Sequence, residues 1–154
     1  MPNLRALVKK ADLILSILPP EYALEQASRV ATAMKAVDAY PDYVDCNAIS
    51  PATAKKVAAI FDGLQTNFVD GGIIGLNPIK ELGMTRLYIS GAKTDRVRLL
   101  DGRGMIVRDL GSEIGQASAM KMVYASATKG AFSLFTAVAV MAELTGLRDE
   151  LFQE

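Results

Sequence analysis

Ala11-Asp12-Leu13-Ile14-Leu15-Ser16-Ile17-Leu18-Pro19-Pro20 is a near-continuous aliphatic run closed by two prolines. A run this short and apolar fits a strand buried on both faces of a parallel sheet. Proline suits the first turn of a helix, and Glu21 to Val37 reads as amphipathic, with Leu24, Ala27, Val30, Ala31 and Met34 on one stripe. The alternation then repeats. Tyr43 to Cys46 is a short strand and Asn47-Ala48-Ile49 a loop. Ser50-Pro51 caps a helix that runs to about Asp62, where Gly63 stops it. Asn67 to Asp70 is a third strand ended by Gly71-Gly72, and Arg86 to Ser90 a fourth. Thr94 caps a short helix over Asp95 to Leu100, and Met105-Ile106-Val107 is a fifth strand.

Strand and helix alternating at this spacing imply βαβ units, a mostly parallel sheet, and ligands at the carboxyl ends of the strands. After Gly111 the alternation stops. One long helix-period segment without proline covers about Ser112 to Thr145, with Gly146 as its C-cap. The expected division is therefore an α/β part over 1–111 and a helical part over 112–154. The long helix is apolar on several faces, through Met120, Val123, Phe132, Leu134, Phe135, Val138, Val140, Met141 and Leu144. Such a helix needs covering by other helices or by a second subunit. Its longest apolar stretch, Ala131 to Ala142, is shorter than the roughly twenty residues a bilayer requires, so a buried helix is expected and no membrane partner.

Composition removes several function classes. Lys plus Arg and Asp plus Glu number 17 each, and Arg96, Arg98, Arg103 and Arg108 are interleaved with Asp95, Asp101 and Asp109. No electrostatic case for nucleic acid follows. The chain has no histidine, which removes histidine-dependent triads and most zinc sites. Asp45 and Asp70 end strands without a partner carboxylate at short spacing, so no metal is expected. Cys46 is the single cysteine, so a reducing, cytoplasmic setting is the default. It reads as a small buried hydrophobe.

Three strand ends form a candidate ligand crevice: Leu18-Pro19-Pro20, Cys46 to Ser50, and Asp70 to Gly75, where glycines allow close approach to the backbone. Lys121 sits in apolar company among Ala119, Met120, Met122 and Val123, with no carboxylate at four-residue spacing. Periodicity alone favours a lysine that snorkels to the surface, whereas partial burial would lower its pKa and fit it for proton transfer.

The order of these segments resembles the 3-hydroxyisobutyrate and 6-phosphogluconate dehydrogenase superfamily of β-hydroxyacid dehydrogenases. The matching pieces are Ala11 to Pro19, Val44 to Pro51, Phe68-Val69-Asp70 with its glycine-rich turn, Leu87 to Gly91, and Gly115 with Lys121 six residues on. Ala117 to Met122 and Thr128-Lys129-Gly130 look most like a branch with a phosphogluconate-dehydrogenase-like C-terminal domain. The resemblance implies the second half of a Rossmann-like parallel sheet, followed by a long helix that begins an all-α domain. It implies NAD or NADP as cofactor, with Leu18, Pro19, Asn47 and Ala48 along it, and Ile74 and Gly75 bordering the substrate carboxylate. Lys121 would be the general acid/base on the substrate hydroxyl. Lys129, about 80° further round the helix at 100° per residue, is either a contact for an anionic substrate group or solvated.

Three departures stand beside the resemblance. No G-x-G-x-x-G precedes Ala11, Ile74 replaces a serine common in the substrate turn, and Ala125 replaces an asparagine four residues beyond the lysine. The expected function is an NAD(P)-dependent oxidoreductase of a small hydroxyacid, a homo-oligomer through the C-terminal helix, incomplete as this chain alone. The alternative is a non-catalytic truncated paralogue that acts as a dimerisation or interaction module.

Overall fold

The computed structural model describes residues 3–75 and 85–154. These divide into two compact units, Met1–Lys121 and Met122–Glu154.

The first unit is built on a five-stranded sheet in the order β1-β2-β3-β4-β5. The strands are β1 (Leu13–Ser16), β2 (Asp42–Asp45), β3 (Phe68–Ile74), β4 (Arg86–Ser90) and β5 (Ile106–Asp109). The expected mixed α/β architecture holds, with one difference in direction. β1-β2, β2-β3 and β4-β5 are parallel, but β3-β4 is antiparallel. Its cause is that β3 does not stop at Gly71-Gly72 as expected. It runs through both glycines to Ile74, where Gly72 pairs with Tyr88, and an antiparallel pair needs no crossover helix.

Side chains alternate across the sheet. Ile14, Tyr43 and Phe68 face one core with α1 (Leu4–Lys10), α2 (Ala23–Val37) and α3 (Pro51–Ala59). Leu13, Val44, Val69, Leu87 and Ile89 face the other, covered by Val97 of α4 (Asp95–Arg98). All four residues of β2 are buried between these two layers, Tyr43 against the first and Val44 against the second. β1 differs from expectation: it is an edge strand, and Leu15 and Ile17 are exposed. Leu24 also turns outward from the stripe that buries Ala27, Val30, Ala31 and Met34.

Local signals placed the helices well and their ends less well. The Ser50 hydroxyl accepts from the Thr53 amide at 3.2 Å, a side-chain N-cap with Pro51 at the first helical position. α3 ends at Ala59, before Gly63, and α2 begins at Ala23 after a 3-10 turn over Pro20–Tyr22. α1, capped by Asn3, was unforeseen: it is short and buries only Val8. Thr94 does not cap α4 through its side chain; its hydroxyl donates instead to Asp109 at 2.6 Å.

The long helix α5 (Gln116–Thr145) starts four residues later than expected and ends at Gly146, φ 72°. Its first turns belong to the first unit. The second unit holds the rest of α5 and α6 (Arg148–Leu151). The expected buried helix is not met within this unit: Phe132, Phe135 and Leu144 are 75%, 71% and 81% exposed, and only Ala142 is buried. By length and composition alone α5 would also suffice to cross a membrane.

Candidate functional site

One row of polar residues crosses the first unit. Ser16, Asp45, Asp70 and Ser90 are register partners on four successive strands, and all are buried. Asp45 and Asp70 are therefore neighbours in space although twenty-five residues apart in sequence, the partnership that short spacing could not reveal. Buried carboxylates persist only where donors hold them, and each here has its own set.

Asp45 is held by Asn47. The Asn47 amide donates to Oδ1 at 2.9 Å and its Nδ2 to Oδ2 at 3.0 Å. Nδ2 also reaches the Ser16 hydroxyl at 3.2 Å, while Asn47 Oδ1 accepts from the Leu18 amide at 2.7 Å. Burial pushes the Asp45 pKa up, and the Asn47 donors and Lys121 pull against it. Asn47 thus ties the carboxyl ends of β1 and β2 together, with its side chain turned inward and fully used. At these strand ends Ile17, Pro19, Pro20 and Ala48 are exposed, and Leu18 is half-buried.

Asp70 is held by the start of α5. Its Oδ2 accepts from the Gly115 and Ser118 amides at 3.0 and 2.9 Å, and its Oδ1 from the Ser118 hydroxyl at 2.6 Å. The Ser90 hydroxyl donates to Oδ2 at 3.3 Å and accepts from the Ala117 amide at 3.2 Å. These bonds satisfy amides that the first turn of any helix leaves free, and they place a negative charge at the positive end of the helix dipole.

Two residues beyond Asp70, β3 again meets α5. A Cβ on Gly72 would lie 2.8 Å from the Ala117 carbonyl oxygen and 3.3 Å from Lys121 Cβ. One on Gly71 would lie 2.9 Å from Cys46 Sγ. These glycines let protein pack on protein, which corrects the expectation that they admit a ligand. Gly75 is exposed with φ 133°, the left-handed side that favours glycine, and Ile74 is buried.

Lys121 is half-buried over this contact, and its Nζ donates to the Cys46 carbonyl at 3.3 Å. Burial lowers its pKa below the ordinary lysine value, opposed by the nearby Cys46 and Asp45. The structure thereby brings Lys121, the Asn47 loop and the end of β1 to one edge of the sheet, and replaces the surface lysine that periodicity favoured. Cys46 is buried as expected, and its thiol is pushed up to about 12 by burial. Lys129 is exposed on the second unit.

The missed residues are Ser16, Asp45, Asp70, Ser90 and Ser118 in these structural roles. A signal existed: Tyr43-Val44-Asp45 and Phe68-Val69-Asp70 carry the same aromatic-valine-aspartate ending, which would have set the two strands in register. No G-x-G-x-x-G is present to hold a pyrophosphate.

Known proteins share this arrangement of elements. No family profile matches the chain. It is 31% identical over 147 residues to an uncharacterized 28.5 kDa protein of Methanothermus fervidus, covering 96% of this chain and 54% of that one. Among solved structures, a conserved protein of unknown function, noted for similarity with 3-hydroxyacid dehydrogenases, is 30% identical at a TM-score of 0.71, covering 90% of this chain and 51% of the other. The Mycobacterium tuberculosis 3-hydroxyisobutyrate dehydrogenase is 19% identical at a TM-score of 0.77, covering 96% and 50%. An imine reductase from Myxococcus stipitatus in complex with NADP+ is 20% identical at 0.75, covering 97% and 53%. The chain spans about half the length of each.

Proposed function

We propose that this chain, whose fold is that of the 3-hydroxyacid dehydrogenase-like proteins, carries the proton-transfer side of an NAD(P)-dependent oxidoreductase acting on a small hydroxy-carboxylate. The observation that carries the reading is Lys121: a half-buried amine just beyond the carboxyl end of β2, packed over Gly72 of β3 and hydrogen-bonded through one donor to Cys46 O.

Oxidising an alcohol by hydride loss requires a base for the hydroxyl proton. When bound, the nicotinamide supplies the hydride chemistry. The Lys121 amine takes the hydroxyl proton in oxidation and returns it in reduction. Its lowered pKa enlarges the neutral fraction available as base. The Cys46 carbonyl fixes the Nζ by one donor and leaves the others for the substrate oxygen. Asn47 holds the β1 and β2 ends so that the backbone at Leu18-Pro19 and Ala48 lines the cofactor. Ile74 and Gly75 border the substrate, Ile74 offering no hydroxyl. The setting is cytoplasmic, and the exposed second unit assembles as a homo-oligomer without nucleic acid or membrane.

Phe132, Phe135 and Leu144, all exposed, favour one second reading, a non-catalytic dimerisation module. Calorimetric titration of NAD and NADP, followed by hydroxyacid turnover, separates the two. This chain alone is expected to bind dinucleotide weakly or not at all. Extended upstream by a glycine-fingerprint segment, it should bind and turn over, with turnover lost in Lys121→Ala. An extended protein that ignores both cofactors leaves the module reading standing.

A further inference from the structure

Strand β3 touches α5 twice, at Asp70 and at Gly72, and Lys121 lies over the second contact. Asp70 fixes the height of the helix by accepting from Gly115 N, Ser118 N and Ser118 Oγ. Gly72 fixes its closeness, because the Ala117 carbonyl and Lys121 Cβ occupy the space that any side chain would fill. Ser118 precedes Lys121 by three residues, so the two share one helix face. From this geometry we infer that Asp70 is the positioning residue for Lys121: it seats the first turns of α5 on β3 so that the Lys121 amine is held at the Cys46 carbonyl instead of reaching solvent.

The inference rests on the acid/base reading of Lys121. A bare helix cap would serve stability alone, and the position of the bonds argues for more. Asp70 lies in register with Asp45, the carboxylate that braces the Asn47 loop on the other side of the proposed site. One polar row therefore fastens both the lysine-bearing helix and the loop that lines the cofactor. The charged and titratable groups facing Lys121 are Asp45, the last residue of β2, and Cys46 just after it. Asp70 faces the helix amides, so its effect on Lys121 runs through the backbone.

The test compares the unsubstituted chain with Asp70→Asn and Ser118→Ala. Each lysine's acetylation rate is followed against pH, from neutral to alkaline, by peptide mass spectrometry with acetic anhydride as the probe. Thermal unfolding is recorded in parallel. Loss of the seat lets Lys121 reach water, so its titration midpoint moves up toward the ordinary lysine range in both variants, more in Asp70→Asn. Loss of a nearby negative charge alone would move it down, since a carboxylate favours the ammonium. A midpoint that stays or falls in folded variants overturns the inference even if stability drops. Should Asp70→Asn fail to fold, Ser118→Ala, which keeps both amide bonds, decides alone. An ordinary midpoint in the unsubstituted chain removes the acid/base reading itself, a result distinguishable from an initially low midpoint that the substitutions leave unmoved.

Discussion

Gly72→Ala puts a single methyl group where the structure has no room for it. The new Cβ would lie 2.8 Å from the Ala117 carbonyl oxygen, about 0.6 Å inside ordinary contact at 3.4 Å. The oxygen belongs to helix backbone and cannot rotate away, so α5 must lift or β3 must sag. Overpacking of this kind costs about 1–3 kcal/mol. The substitution also restricts the unfolded chain, returning about 0.4–1 kcal/mol where alanine can adopt the native backbone, and Gly72 is not among the positive-φ glycines. A net loss of about 1–2 kcal/mol follows, or a fall in Tm of roughly 3–6 °C at about 3 °C per kcal/mol for a chain this size. Urea and thermal unfolding of the two proteins measure it directly, with an unchanged m-value expected. A Tm equal to or above that of the unsubstituted chain would refute the reasoning, because it would mean that α5 does not rest on β3 at this point.

Other substitutions probe separate links. Asp109 accepts from Thr94, Gly111 and, twice, Arg98. Burial opposes its ionisation, but these donors outweigh burial and hold its pKa below the ordinary value. Its stabilisation is therefore present above the unfolded carboxylate value and lost as pH falls through the lower folded value. Asp109→Asn should cost about 1 kcal/mol at neutral pH, discounted for the exposed guanidinium, and little in strong acid, as pH-dependent urea unfolding would record. Asp38 ends α2 at φ 48°, so Asp38→Gly should raise stability by about 0.5–1 kcal/mol by relieving left-handed strain, and a destabilised variant would contradict the cap geometry. Cys46, with its buried thiol pushed up to about 12, should react with Ellman's reagent only at the rate of unfolding, and fast native-state labelling would show that β2 is open.

The sequence declared much of the fold because its signals are local. The aliphatic run at Leu13, the Ser50-Pro51 cap and the proline-free stretch after Gly115 each specify an element from a few neighbours. What it hid depends on partners far along the chain. The antiparallel β3-β4 pair could not be read because a glycine pair is equally good as a turn or as a strand pressed against a helix. The exposure of Leu15 and Leu24 reflects what lies beside β1 and α2, which composition does not encode. Lys121 was legible by type and by resemblance, but its burial was not. That burial follows from Gly72, forty-nine residues earlier, allowing the helix to come close. Asp70 looked like a strand terminator because its partners, Gly115 and Ser118, are forty-five and forty-eight residues away.

Desolvation of Lys121 by this fold, the basis for proton transfer, is read from the proton titration of its Nζ. The titration is read from lysine Cε resonances in labelled protein, assigned with Lys121→Met. One lysine is expected to titrate below the others and to be lost in the variant. A Lys121 resonance that titrates with the exposed lysines would contradict that desolvation.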